Sequence, residues 1–231
     1  MTYDQAMKEL EEMGTAQNRK VYARHGVGRE MFGVSFADLN RLKKKIKVDH
    51  ELAQQLWASG NHDARVLATM IADPAATTSA MLDAWVKDLD NYVITDTFSS
   101  LASRTRYVHK KMEKWTRSSK EWIGRAGWRL VAAVALQDGT LTDPVFVRYL
   151  NIIESDIHDS ENRVREAMNN AVIAIGVRNG RLEKKAIAAA RNVGKVEVDH
   201  GETGCKTPDA VEYIRKTLEH RERQAARKKS T

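Results

Sequence analysis

Two groups of side chains in this sequence could take part in chemistry: a small set of potential metal ligands and several clusters of basic residues. His200 and Cys205 lie close to Asp199 and Glu202, and all four residue types can bind metal ions. Their spacing matches no zinc-binding pattern, and one cysteine with one histidine supplies too few ligands. No base that could activate Cys205 as a nucleophile is identifiable. The sequence therefore predicts neither a metal site nor a cofactor.

The basic residues indicate an anionic partner instead. The chain contains 38 Lys and Arg against 31 Asp and Glu, a formal net charge of +7. Lysines and arginines can neutralise the phosphates of a nucleic acid, although a run of charges can equally be a solvated helix face. No glycine-rich phosphate loop accompanies them, because residues 26–28 lack the rest of any such motif. The candidate contacts are Arg41, Lys43, Lys44, Lys45, Lys47, Arg65, Arg163 and Arg165.

The composition excludes several other classes of protein. The chain has 231 residues, of which 42% are hydrophobic and 30% are charged, as in folded globular proteins. No segment approaches the roughly 20 consecutive apolar residues that span a bilayer, and no signal peptide is visible. A single cysteine cannot form an internal disulfide bond. We therefore expect a cytoplasmic protein, monomeric and without a membrane partner.

Sequence signals for helices recur along the whole chain, so helices are the elements expected to position these side chains. Ser35 and Asp49 each precede an amphipathic segment and are predicted to cap its N-terminus. Residues 118–121 have the composition of a capping box before a long apolar helix, and residues 207–209 place a candidate cap beside a proline at the start of the last helix. The alternation at 196–198 is too short to predict a strand. The pattern therefore predicts an all-α fold.

A degenerate repeat runs through three of these helices. Residues 61–68, 122–128 and 162–168 each combine polar residues, an arginine and a small or apolar run. Arg125 and Arg165 are about 40 residues apart, which suits HEAT-type helix pairs, whereas Arg65 does not fit the same period. Chance similarity between amphipathic helices is the alternative. We predict one HEAT-like repeat domain over 1–231, with an irregular insert around 193–207 and a basic C-terminal helix or tail.

Several segments, above all residues 49–74, resemble the AlkD-like bacterial DNA alkylation-repair glycosylases. The similarity is strongest between Phe32 and Trp128. It implies an α-α superhelix, a curved solenoid of HEAT-like repeats whose concave face holds duplex DNA containing alkylated purines. It also implies the removal of purines alkylated at N3 or N7. The matching segments are 32–35, 39–42, 49–60, 62–65, 71–74, 85–92 and Asp96.

The resemblance also implies a functional trio of an aromatic residue, an aspartate four residues later and an arginine in a later helix. These positions correspond to Tyr92, Asp96 and Arg125. The family usually has tryptophan where this chain has Tyr92, and a further aromatic of the family falls near Asn169 or Asn170. Asp96 would then be the catalytic carboxylate, Tyr92 the ring against the base and Arg125 a phosphate contact.

The chemistry of such a trio is electrostatic. An N3- or N7-alkylpurine is a cation and already a good leaving group, so it needs no general acid. A carboxylate can stabilise the oxocarbenium-like sugar that develops as the bond to the base breaks. An aromatic face attracts the cationic base, and an arginine can hold a phosphate through two hydrogen bonds. The sequence predicts a DNA glycosylase, with a non-catalytic module that binds distorted DNA, or a protein scaffold, as the alternative.

Overall fold

The structure, a computed structural model, describes residues 1–28 and 30–229. Within these ranges the regular secondary structure consists of thirteen α-helices and one 3₁₀ helix, Val86–Asp88, with no strand. None of these helices is both long and apolar enough to cross a membrane. The all-α prediction is therefore confirmed. The helices are α1 (Tyr3–Met13), α2 (Ala16–Arg24), α3 (Phe36–Ile46), α4 (His50–Ala58), α5 (His62–Ile71), α6 (Ser79–Trp85), α7 (Tyr92–Ala102), α8 (Val108–Trp115), α9 (Glu121–Gln137), α10 (Asp143–Asp156), α11 (Asn162–Gly176), α12 (Gly180–Val193) and α13 (Ala210–Lys229).

The helices form two compact units. The first contains Met1–Trp115, and so α1 to α8, together with His200–Gly204. The second contains Thr116–Asp199 and the described residues from Cys205 onward, and so α9 to α13.

The core of the first unit is built around α5, which packs against α3, α4 and α7. Trp57 stacks on Trp85 with ring centroids 4.1 Å apart, and Phe98 lies between Trp57 and Trp115. Phe98 and Trp115 are at most 1% exposed, so each contributes the roughly 1.5–3 kcal/mol expected for a buried large apolar side chain. This core fixes the positions of α3 and α7.

The core of the second unit is the interface of α9 with α11, with α12 and α13 packed on α11. Close approach depends on small residues. A Cβ on Gly176 would lie 2.5 Å from Cδ1 of Ile214, so a larger residue there would force the Ile214 side chain to shift where α13 packs on α11. Trp128 and Tyr149 are buried edge to face with centroids 5.7 Å apart. The second unit thereby holds α9 and α11 in a fixed register.

The helix caps agree with the sequence in part. Asp49 accepts the N–H of Leu52 at 3.0 Å and caps α4 as predicted. The capping box predicted over 118–121 is wrong, because Lys120 is the N-cap of α9 and makes no side-chain cap hydrogen bond. Within the predicted segment 207–209, Asp209 caps the last helix by accepting the N–H of Glu212 at 2.8 Å.

Residues 194–209 contain neither helix nor strand and are fastened to α11 by two asparagines. The Asn162 side chain donates to the Asp199 carbonyl at 2.8 Å and accepts the Asp199 N–H at 2.7 Å. The Asn169 amide donates to the Pro208 carbonyl at 3.0 Å. Hydrogen bonds to both asparagines therefore hold Asp199 and Pro208 of this irregular segment in the second unit.

Candidate nucleic-acid interface

An open cleft in the first unit is formed by α7, α2 and the start of α3. Its volume is about 430 Å³, and Tyr22, His25, Phe36 and Tyr92 supply aromatic rings to its lining. We call it the aromatic cleft. Asp96 also lines it, one helical turn from Tyr92, because residues four apart share a face of a helix. Asn91 starts this helix by accepting the N–H of Ile94 at 3.1 Å.

Tyr92 is held in the cleft by His25 of the same unit. The Tyr92 hydroxyl forms a hydrogen bond with Nδ1 of His25, and the two rings meet edge to face with centroids 5.7 Å apart. The position that the family usually fills with an indole is therefore filled by a phenol whose hydroxyl is fixed by an imidazole. Two sequence-predicted residues, Tyr92 and Asp96, do lie together.

The wall of the cleft formed by α2 depends on a buried carboxylate. Asp63 is fully buried and accepts the backbone N–H groups of Phe32, Gly33 and Val34 at 2.7, 2.9 and 3.0 Å. The Tyr22 hydroxyl donates to the Val34 carbonyl at 2.6 Å. Burial, and then the negative charge of Asp63, raises the pKa of Tyr22 to about 12. Tyr22 therefore stays neutral at physiological pH and supplies the cleft with an uncharged ring.

The exposed surface of α3 carries an aromatic ring and several lysines. Phe36 is 41% exposed at the start of the helix, and Lys43 and Lys44 are exposed in its last turn. By helical periodicity Phe36 and Lys43 lie on the same side of α3, and Lys44 lies on the side away from the buried Leu39 and Leu42. The same helix therefore carries Phe36, which lines the aromatic cleft, and the two exposed cations Lys43 and Lys44.

The lysines of α3 differ in their partners. Lys45 forms an ion pair with Glu9 at 2.6 Å, and Arg41 pairs with Asp38. Among the residues that the structure describes, Lys43, Lys44 and Lys47 have no carboxylate partner. We call these three residues the α3 lysine face. Lys47 follows as the C-cap of the helix, exposed and with a positive φ of 67°.

Arg65, also predicted to contact DNA, lies in the interior of the first unit. Its Nε donates to the Trp57 carbonyl at 3.0 Å, its Nη2 lies 3.5 Å from the Asp88 carboxylate, and its guanidinium covers the Trp57 ring at 5.1 Å. The side chain is 11% exposed. Such contacts are typical of an arginine that joins helices.

Arg125 belongs to a buried ionic cluster in the second unit. Its Nη1 donates to Oε2 of Glu166 at 2.7 Å and to the Arg163 carbonyl at 3.2 Å, and its side chain is 2% exposed. Nη1 of Arg163 reaches the same carboxylate oxygen at 3.0 Å. We call Arg125, Arg163 and Glu166 the arginine–glutamate cluster. It ties α9 to α11.

The electrostatics of the cluster agree with this geometry. Burial on its own would raise the pKa of Glu166, but the guanidiniums of Arg125 and Arg163 lower it below its usual range. Glu166 is thus ionised at neutral pH and neutralises one of the two cations. Arg163 also donates its backbone N–H to Glu121 at 2.7 Å, which fixes the start of α11.

Three further residues complete the comparison with the sequence. Arg165 is half-buried, and no described residue accepts a hydrogen bond from its buried Nε. Asn169, near which the family places an aromatic residue, is buried, and its amide donates a hydrogen bond to the 194–209 segment. Asn170 is half-buried.

Sequence reasoning missed Phe36, His25 and Glu166. The exposure of Phe36 depends on how α3 packs in the first unit. His25 lies 67 positions from Tyr92 and Glu166 lies 41 positions from Arg125, so no local spacing could link them.

The described residues form an all-α fold of packed helices in which α3 presents an exposed basic surface. The sequence profile of the family described as DNA alkylation repair enzyme matches residues 6–214. The chain therefore belongs to the DNA alkylation repair enzyme family, and the resemblance to its AlkD-like members is confirmed.

Individual relatives agree with this assignment. The uncharacterized proteins Lin0241 of Listeria innocua and Lmo0209 of Listeria monocytogenes are each 28% identical over 227 residues, covering 94% of this chain and 97% of theirs. A solved structure matches with a TM-score of 0.88 and 30% identity over 95% of both chains. It is described as a new family of proteins related to the HEAT-like repeat DNA glycosylases with affinity for branched DNA structures. The HEAT-like repeat fold is thereby confirmed.

Proposed function

We propose that this protein binds branched or otherwise distorted DNA through the α3 lysine face and does not excise bases. The observation that carries the proposal is the burial of Arg125. A glycosylase of the expected kind needs this guanidinium at a phosphate beside the lesion, yet the side chain is 2% exposed and donates to Glu166 at 2.7 Å.

The cluster resists opening for a phosphate. Withdrawing Arg125 would leave Glu166 with Arg163 alone, and breaking a buried ion pair costs on the order of 3 kcal/mol. The carboxylate would also repel an approaching phosphate. Arg125 therefore acts as a structural link between α9 and α11 in this proposal.

The α3 lysine face supplies the contacts that a DNA backbone requires. Lys43, Lys44 and Lys47 are exposed, and among the described residues no carboxylate competes for their ammonium groups. Each lysine that neutralises a phosphate releases a counterion, so binding should weaken steeply with salt. Arg41 and Lys45 contribute less, because Asp38 and Glu9 already pair with them.

The preference for branched over simple duplex DNA rests on the relative with affinity for branched DNA structures, which is 30% identical to this chain over 95% of both. The aromatic cleft is consistent with it. At a branch point, bases lose stacking partners, and exposed rings such as Phe36 offer a stacking surface.

The test measures binding of a fluorescent four-way DNA junction by anisotropy over a range of salt concentrations. Wild type should bind the junction more tightly than a linear duplex of the same length. In the double variant K43Q/K44Q, affinity should fall at least tenfold. The slope of log K against log salt should become shallower by about 1.8, since two phosphate contacts are lost.

The matched control is K45Q, which removes a neighbouring lysine that Glu9 already pairs with. Its affinity should change less than threefold. Equal losses in K45Q and in K43Q/K44Q would show that only total charge matters, and junction binding unaffected by both would overturn the proposed interface.

A second candidate function is excision of cationic N3- or N7-alkylpurines, favoured by the position of Asp96. Asp96 lines the open aromatic cleft one turn from Tyr92. The carboxylate would stabilise an oxocarbenium-like sugar as the bond from the sugar to the base breaks. The base leaves with the bonding electron pair and becomes neutral, and water then adds to the sugar carbon and loses a proton.

The two candidates are separated by measuring free alkylpurine released from methylated duplex DNA. The DNA-binding proposal expects release by wild type to equal that by D96N and the background without protein. Release that exceeds the background and is abolished in D96N would establish the glycosylase and overturn the proposed absence of excision.

A further inference from the structure

A cavity of about 280 Å³ lies in the second unit, where α9 and α11 end. It is lined by Ala135, Leu136, Val177, Arg178, Asn179 and Arg221. Arg221 is exposed on α13 and Arg178 is half-buried just after α11. Two arginines thus line one small, open cavity that the proposed DNA interface does not include.

Both arginines are held by neutral acceptors. Nη1 of Arg178 donates to the Ala135 carbonyl at 2.8 Å, and its Nη2 donates to the Leu141 carbonyl at 3.1 Å. Nη1 of Arg221 donates to the Val177 carbonyl at 2.6 Å. Carbonyls orient a guanidinium but do not cancel its charge. In the described part of the chain neither arginine has a carboxylate partner, so both positive charges remain.

The guanidiniums retain donors for a ligand. Each carries five N–H groups, of which the carbonyls take two from Arg178 and one from Arg221. The Phe146 ring lies 4.7 Å from the Arg178 guanidinium and restricts its movement. Two oriented guanidiniums with spare donors are the arrangement that binds the oxygens of a phosphate group through paired hydrogen bonds.

We infer that the Arg178–Arg221 cavity binds a phosphate group, either of a nucleic-acid backbone or of a free phosphate compound. A carboxylate ligand offers only two oxygens in one plane, whereas a phosphate group presents oxygens in several directions and so suits two guanidiniums better. The inference does not depend on the proposed DNA binding, because free phosphate tests it directly.

The probe is inorganic phosphate, and the measurement is the thermal unfolding midpoint in sodium phosphate against sodium chloride of matched ionic strength. Phosphate also stabilises proteins non-specifically, so the comparison is between variants. R221Q removes one guanidinium from the cavity, whereas R215Q removes an exposed arginine from the same helix outside it. Wild type and R215Q should show the same phosphate-dependent rise, and R221Q should lose at least half of it. An equal rise in all three proteins would overturn the site.

A second arm identifies the source of the phosphate. If it belongs to DNA, R221Q should make the slope of log K against log salt for the junction shallower by about 0.9, as one phosphate contact is lost. If the cavity serves a free phosphate compound, the slope should stay at the wild-type value while the phosphate-dependent rise is still reduced. A failure of junction binding in wild type, with the rise intact, would contradict the proposed function alone.

Discussion

The α3 lysine face and the arginine–glutamate cluster are both rich in cations, but they present opposite electrostatic situations. Lys43, Lys44 and Lys47 are exposed, and no described carboxylate pairs with them. Arg125 and Arg163 share Glu166 at 2.7 and 3.0 Å and are largely withdrawn from solvent. The difference teaches that a basic residue is a candidate for phosphate contact only when the fold leaves its charge uncompensated. A cluster whose cations share a buried carboxylate, such as the arginine–glutamate cluster, joins helices instead.

The largest expected effect comes from removing the buried cation of the cluster. R125M keeps the apolar bulk of the side chain but takes a partner from Glu166 and a link from between α9 and α11. We expect the free energy of unfolding to fall by about 3 kcal/mol, measured by urea denaturation at pH 7.

The same variant distinguishes the two kinds of basic region. At a temperature where R125M is folded, the salt dependence of its junction binding should match wild type, because Arg125 is not a DNA contact in this proposal. A slope shallower by about 0.9 would indicate that Arg125 contacts a phosphate. That result would contradict the distinction between the α3 lysine face and the arginine–glutamate cluster.

A smaller effect is expected from protonating the shared carboxylate. Because the folded state lowers the pKa of Glu166 below its ordinary 4.5, the ion pair contributes stability that is complete above pH 4.5. That contribution is lost as pH falls through the lower pKa of the folded state. The difference in unfolding free energy between wild type and E166Q should therefore shrink as pH falls below 4.5. A difference that is constant from pH 6 to pH 3 would contradict the ion pair.

The sequence predicts the helices better than it predicts this distinction. Hydrophobic periodicity and the cap at Asp49 are local, so they indicate where helices lie, and the four-residue spacing places Tyr92 and Asp96 on one face of α7. Charge compensation is a tertiary property. Lys45 and its partner Glu9 are 36 positions apart, so the sequence could not separate Lys45 from Lys44. The resemblance likewise identifies the position of Arg125 but not its burial.

The smallest expected effect concerns the end of the α3 lysine face, where Lys47 has φ 67° and ψ −127°. This conformation favours glycine, and a residue with a side chain costs about 1–3 kcal/mol there. K47G relieves that strain but enlarges the entropy of the unfolded chain, so we expect a net stabilisation of about 1 kcal/mol in urea denaturation. Junction affinity should nevertheless fall, with a salt slope shallower by about 0.9, because the cation is gone.

K47Q is the matched control for this prediction, since it removes the charge and keeps the strained backbone. It should weaken junction binding as much as K47G does and leave stability near the wild-type value. Together the two variants separate the cost of the conformation from the use of the charge. If K47G stabilises the protein and binds the junction as tightly as wild type, the Lys47 ammonium group does not contact DNA. The lysine face would then be reduced to Lys43 and Lys44.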